Sequence, residues 1–228
     1  MLEKFLSARG KGRLGELRVS LAARRAKNGK SYILNDFLLE HNGSTAQIDH
    51  IIINKNGVFV IETKNYEGNI VGEDKNDVWV RYRSALGGRI KEGFYSPVKQ
   101  VLAHTARLEQ ALEGKVYLVP VVVFVNGNIA RVRSQYTITL KALGAKLALP
   151  HRVPTYTVAE MKEIYLRLKG MRGDKAQKRK HIEGVIYRQR LVKNNICPRC
   201  GRILVKRKSE YGEFYGCQGY PECNYIKK

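Results

Sequence analysis

An α/β domain followed by a small metal-stapled module is the architecture these 228 residues predict. Three observations predict it. Strand-like apolar runs alternate with helical patterns over about the first 170 residues, Val116 to Val125 is apolar enough for a strand buried on both faces, and all four cysteines crowd between Cys197 and Cys223. With 43% hydrophobic residues the chain can fill one sizeable core and one small one.

Leu14, Leu17 and Leu21 recur at three- and four-residue steps, which predicts an amphipathic helix from about Leu14 to Ala26. Two apolar runs follow, Ile51-Ile52-Ile53 and Val58-Phe59-Val60-Ile61, with Asn56-Gly57 between them as a hairpin signal. A two-residue loop at Asn56-Gly57 pairs Asp49 with Lys64, and a four-residue loop from Asn54 to Gly57 pairs Asp49 with Glu62. Either even loop puts Asp49, Glu62 and Lys64 on one face, because strand side chains alternate with period two.

Further strands are expected at Asn69-Ile70-Val71, around Val78-Trp79-Val80, along Val116 to Val125 and at Thr137 to Leu140. Trp79 reads as packing, and Arg81-Tyr82-Arg83 behind it as either a solvated loop or a nucleic-acid approach. Ser96-Pro97 is an N-cap with proline in the first turn, starting a helix whose stripe is Val101, Leu102, Leu108 and Leu112 and which sets Gln100 and His104 on one face. Thr157-Val158-Ala159-Glu160 is a capping box for a helix ending near Gly170, with Tyr156 and Met161 as its staple. The boundaries expected are a main domain at 1–168, a polar, basic and partly helical linker at 169–195 and a cysteine module at 196–228.

Charges at the ends of apolar strands have two readings. One is a structural Lys64 salt bridge at the sheet margin. The other is a pair of carboxylates about 5 Å apart across the ladder, able to share a hard cation. Asp49 and Glu62 are then the candidate ligands for magnesium or manganese, with Lys64 offsetting negative charge on a phosphate under attack.

The order Asp49, then Glu62-Thr63-Lys64, resembles the PD-(D/E)xK nuclease core. Gly12-Arg13-Leu14-Gly15-Glu16, Gln47-Ile48-Asp49-His50, Gly57 through Asn65, Gly68-Asn69-Ile70, Trp79, and Pro97 with Gln100 and His104 narrow that likeness to the nuclease-related domain, over about residues 10 to 125. Ile48 departs from the wider superfamily, which often has proline there. The resemblance implies a restriction-endonuclease-like mixed sheet flanked by helices. It also implies that Glu16 adds an acid near the metal and that Gln100 joins the active site. The expected activity is magnesium-dependent hydrolysis of DNA; the alternative is a catalytically inactive binder of DNA ends or junctions.

Cys197 and Cys200 are separated by two residues, Cys200 and Cys217 by 16, and Cys217 and Cys223 by five. No signal peptide or long apolar stretch points to export or a membrane, so a cytoplasmic setting is expected, with the four thiolates holding one structural zinc. Cys197-Pro198-Arg199-Cys200-Gly201, Tyr211 to Cys217 and Tyr220-Pro221-Glu222-Cys223 resemble the C4 zinc ribbon at the C-terminal ends of type I topoisomerases, which implies binding of nucleic acid, single strands above all. Arg202, Lys206, Arg207, Tyr211, Phe214, Tyr215 and Tyr220 are the candidate contacts: cations for phosphates, rings for bases. About two rings of the ribbon are expected to stay free for stacking, the others covering the zinc.

The partner expected is DNA, single-stranded or branched, in DNA processing or repair. The formal net charge is +22, and residues 161–208 hold 16 Lys or Arg against Glu163, Asp174 and Glu183. No organic cofactor is implied.

Overall fold

The computed structural model describes residues 8–26, 29–85, 88–151, 155–209 and 212–227. The chain divides into two compact units, Met1–Gly173 and Asp174–Lys228. The first is a mixed α/β unit, as expected.

Its main sheet has the order β1-β2-β3-β7-β9, formed by Ser31–His41, Ser44–Asn54, Gly57–Lys64, Leu118–Phe124 and Thr137–Thr139. The first three strands are antiparallel, while β7 runs parallel to both β3 and β9. The apolar run around Val121 thus becomes a buried inner strand. Each face of the sheet carries its own core. Ile51, Ile53, Val58, Val60, Val122 and Phe124 pack with α2 (Pro97–Ala111) and α4 (Val158–Gly170). Ile52, Phe59, Ile61, Val121 and Val123 pack with α1 (Ala8–Arg25) and α3 (Leu143–Ala148).

A second sheet has the order β6-β5-β4-β8, with β4 Asn69–Glu73, β5 Val78–Ala85, β6 Gly88–Tyr95 and β8 Asn128–Arg133. Trp79 is fully buried between the sheets, stacked with Phe124 at 6.3 Å, and its indole N–H donates to the Glu73 carbonyl at 3.0 Å. Gly72 is required opposite it, because a Cβ there would lie 2.2 Å from the indole ring.

Several elements depart from the sequence reading. Helix α1 begins at Ala8 rather than Leu14, and its buried face is Gly15, Val19 and Ala23; Leu17 and Leu21 are 54% and 42% exposed. The cause is close approach. A Cβ on Gly15 would come 2.7 Å from Asn65 Cβ, so the helix presents its small residues to the sheet and turns its leucines outward. On α2, Leu102 is exposed and Val98 takes its place, giving a regular stripe of Val98, Val101, Leu108 and Leu112. The hairpin turn is Lys55-Asn56, with Asn54 paired to Gly57. Asn54 and Asn56 both donate to the Leu147 carbonyl, at 3.0 and 2.9 Å, and so tie the turn to the end of α3.

The Ser96 cap and the Thr157–Glu160 capping box form as read: Ser96 Oγ accepts from Lys99 N, and Glu160 N donates to Thr157 Oγ1 at 3.2 Å. In the second unit, much of the stretch expected as a linker is one helix, α5 (Lys175–Lys193). It starts with a capping box between Asp174 and Gln177, and none of its residues is buried. Beyond it, β10 (Leu204–Ser209) and β11 (Gly212–Cys217) form a hairpin.

Candidate functional site

Which face each charged side chain takes follows from register. Ile53 pairs with Val58, Ile51 with Val60, and His50 with Ile61. That spacing is the one set by the four-residue alternative, with Asp49 across from Glu62. Asp49, Ile51 and Ile53 alternate along β2; Val58, Val60, Glu62 and Lys64 alternate along β3. All therefore share the face that carries α2. His50 points the other way, toward Asn35, whose Oδ1 lies 2.8 Å from His50 Nδ1.

Asp49 sits where the ladders lapse. The β1–β2 pairs skip the position of Asp36, whose φ of 48° breaks the pleat opposite Asp49. Asp49 Oδ2 instead accepts from the Thr63 backbone N–H at 2.7 Å. Lys64 Nζ donates to Glu62 Oε1 at 2.5 Å and to Gln100 Oε1 at 3.0 Å. His104, one turn along α2 from Gln100, brings Nδ1 to 3.7 Å from Glu62 Oε2. The structure thus joins Asp49, Glu62, Lys64 and Gln100. His104 completes the group, and its signal in the sequence was its i+4 spacing from Gln100.

Glu16 is half-buried on α1. It is near enough to raise the Asp49 carboxyl, though it is the weakest influence on that group. The first part of α1 is held at this end of β3 by Asn65, which donates to the Lys11 carbonyl at 2.7 Å and accepts from Asn126 at 2.7 Å.

Electrostatically the cluster lacks positive charge. Burial, and after it the Glu62 charge, pushes the Asp49 carboxyl well above the usual carboxylate range, against the pull of the Thr63 N–H and Lys64. Burial would lower the Lys64 pKa, but Glu62 foremost and Tyr66 next outweigh it, so the ammonium is held. Glu62 is 3% exposed, and its Oε2 is buried without a hydrogen bond. A divalent cation beside Asp49 and Glu62 would satisfy both observations, and magnesium takes as few as one or two carboxylates and keeps waters. Among the described residues, the only group of three or more His, Cys, Asp or Glu donors within metal-binding reach is elsewhere.

That group is Cys197, Cys200, Cys217 and Cys223, whose sulfurs all lie within 4.8 Å of one another. The separation suits a tetrahedral site with Zn–S bonds of about 2.3 Å. Without a cation the thiols cannot all ionise. The Arg202 N–H and neighbouring thiols lower Cys200 to about 7, while burial pushes Cys217 up to about 12. Among the described residues, Cys197, Leu204, Cys217 and Cys223 form the core of this unit, with Val192 of α5 and Tyr225 packed on it. A structural zinc is what holds such a core together.

Of the candidate nucleic-acid contacts, Tyr215 and Tyr220 are exposed, at 38% and 64%. Lys227 Nζ lies 5.0 Å from the Tyr215 ring and Arg207 5.6 Å from that of Tyr220. Phe214 is half-buried, Lys206 pairs with Glu213 at 2.6 Å, and Arg202 with Glu222 at 3.5 Å. Tyr211 lies outside the described residues. In the first unit, Arg81 and Arg83 both bind Glu92, and Arg81 also covers the Tyr66 ring at 4.8 Å.

Residues 11–125 match the family model described as nuclease-related domain, and residues 194–228 the one described as topoisomerase DNA binding C4 zinc finger. An uncharacterized protein of Bacillus anthracis is 36% identical over 104 residues, which are 45% of this chain and 47% of that protein. DNA topoisomerase 1 of Helicobacter pylori strain J99 is 59% identical over 32 residues, 14% of this chain and 4% of the enzyme. The uncharacterized protein YrdD of Escherichia coli strain K12 is 49% identical over 37 residues, 16% of this chain and 21% of that protein. The chain therefore matches less than half the length of each of these relatives. No solved structure matches it. No helix among the described residues is long and apolar enough to cross a membrane.

Proposed function

The chain belongs to the nuclease-related domain family, and from that premise we propose that it hydrolyses phosphodiester bonds in DNA at Asp49, Glu62 and Lys64. Its C-terminal zinc ribbon holds nucleic acid, single strands in particular, and four clustered thiols fit a reducing, cytoplasmic setting. The observation that carries the reading is the pairing of a buried Glu62 oxygen that accepts no hydrogen bond with an Asp49 carboxyl raised by burial, on the face that also presents Lys64.

Asp49 and Glu62 would hold magnesium or manganese. That ion supplies an acidified water and a polarised phosphoryl oxygen. Lys64 offsets the charge that grows on the phosphorus oxygens during in-line attack, and its bond to Gln100 fixes where the ammonium points. The Thr63 N–H aims one Asp49 oxygen and leaves the other for the cation. Glu16 adds negative charge at the rim, and His104 braces Glu62.

The short Lys64–Glu62 ion pair favours the second reading, a DNA-end or junction binder that does not cut, since the pair occupies one Glu62 oxygen. One assay separates the two. Labelled single-stranded, duplex and flap DNA are incubated with magnesium or manganese and wild type, Asp49→Ala or Lys64→Ala. Cleavage by wild type alone supports the nuclease; binding without cleavage by any of them supports the binder.

A further inference from the structure

Outside the site, the second sheet carries a groove of ≈ 620 Å³ in which, among the described residues, the lining has no carboxylate and the charged residues are all arginines: Arg83, Arg89 and Arg131. Register assigns the groove to the sheet's outer face. Asn69 pairs with Tyr82 and Asn128, Val71 with Arg131, and Ser84 with Arg89; these residues project opposite to Ile70, Gly72 and Trp79, which face the core.

Arg83 borders the groove but has the parity of Trp79, so its side chain projects to the sheet's other face, where Glu92 occupies it. Arg89 and Arg131 are exposed, and neither has a carboxylate partner among the described residues. Guanidinium groups on opposite walls suit phosphate, which they can bind through two N–H donors at once. Tyr82 adds a half-buried ring between them, and the Asn69–Asn128 amide pair at 2.9 Å forms a polar floor.

The groove also adjoins the site. Only four residues, or five Cα steps, separate Lys64 from Asn69, a reach of at most about 18 Å. At about 3.4 Å per phosphate along one strand of a duplex, that is about five phosphates. Gly68 makes the junction tight: its φ is 93°, and a Cβ there would lie 2.2 Å from the Tyr82 carbonyl oxygen.

We propose that this groove is a second nucleic-acid site, in which Arg89 and Arg131 grip the phosphates of a DNA strand flanking the reaction centre and Tyr82 supports one of its bases. What the strand does next rests on the nuclease reading; the grip itself does not.

The test is fluorescence anisotropy of labelled single-stranded and duplex oligonucleotides with the full, zinc-loaded chain, without added magnesium or manganese, across a range of salt. Arg89→Ala/Arg131→Ala is compared with Arg24→Ala/Arg25→Ala, which removes equal charge from the exposed end of α1. The groove pair is expected to lower the single-strand salt slope by about 1.4, at about 0.7 per phosphate contact, and the α1 pair to leave it unchanged. Tyr82→Leu is expected to weaken single strands about tenfold, as loss of one stacked base would, and duplex less. Equal effects of the two arginine pairs, or none from either, would overturn the proposal. Because no cutting is read, wild-type binding through the groove without cleavage in the metal assay would sink the nuclease reading alone, while cleavage with an unaltered salt slope would sink this one alone.

Discussion

The two charged clusters stand in opposite relation to the fold around them. Asp49, Glu62 and Lys64 are placed by a sheet with a full core on each face, so their positions are set before any ion arrives. Three of the four cysteines, Cys197, Cys217 and Cys223, are themselves most of the core of their unit, joined among the described residues by Leu204, with Val192 and Tyr225 packed on it, while Cys200 is exposed. One fold holds a site at some cost to its own stability; the other site holds up a fold. Metal removal should therefore have opposite structural consequences in the two units.

Zinc is the largest lever. Stripping it with a chelator, or Cys217→Ser, should unfold the β10–β11 unit, since structural zinc contributes about 10 kcal/mol in modules of this kind. Amide NMR checks this: ribbon resonances should collapse while those of the first unit persist. Collapse of both would break the contrast.

Next in size is catalysis. Lys64→Ala should cut cleavage by about 10²–10³-fold, the usual cost of removing one charge-stabilising donor, with the first unit still folded by circular dichroism. A rate within threefold of wild type would remove Lys64 from the chemistry.

A third test uses the far face of β2. His50 is buried beside Asn35, and burial lowers its pKa to about 4. Its folded pKa lies below the ordinary 6.5, so the stability it contributes is complete above pH 6.5 and is lost as pH falls toward 4. The loss should be about 3 kcal/mol, at about 1.36 kcal/mol per unit. Denaturant titrations of wild type and His50→Gln should diverge across that window and not above it.

Asp49, the next residue along, should behave in reverse. Its folded pKa is raised, so its contribution is present below the ordinary 3.8 and fades as pH rises through the folded value. Asp49→Asn keeps an acceptor for the Thr63 N–H and removes the charge. It should stabilise the cation-free protein at pH 7 by on the order of 1 kcal/mol, seen as a higher melting temperature. A lower one would mean that the carboxylate is not strained.

The trio was legible because period-two alternation fixes a face whatever the exact turn, and both even loops led to the same side. The turn was not, because side chains of Asn54 and Asn56 bind carbonyls more than 90 residues away. Strand β1 went unanticipated: Asn35-Asp36 interrupts its apolar pattern, and Asp36 takes a left-handed backbone. The buried face of α1 was misread since leucines outrank glycine and alanine by hydrophobicity, whereas contact with Asn65 selects the small residues. His104 was visible as a neighbour of Gln100, but only the fold brings Glu62 to it. The four cysteines needed no fold to be found, as their spacing alone defines the ligand set.

The most direct measurement is a manganese titration of the zinc-loaded chain followed by electron paramagnetic resonance, with a non-cleavable oligonucleotide present. One bound ion per wild-type chain, and none in Asp49→Asn at the same concentrations, is the predicted result. Equal uptake by both proteins, or no uptake by either, would contradict an acidic pocket built to receive a cation.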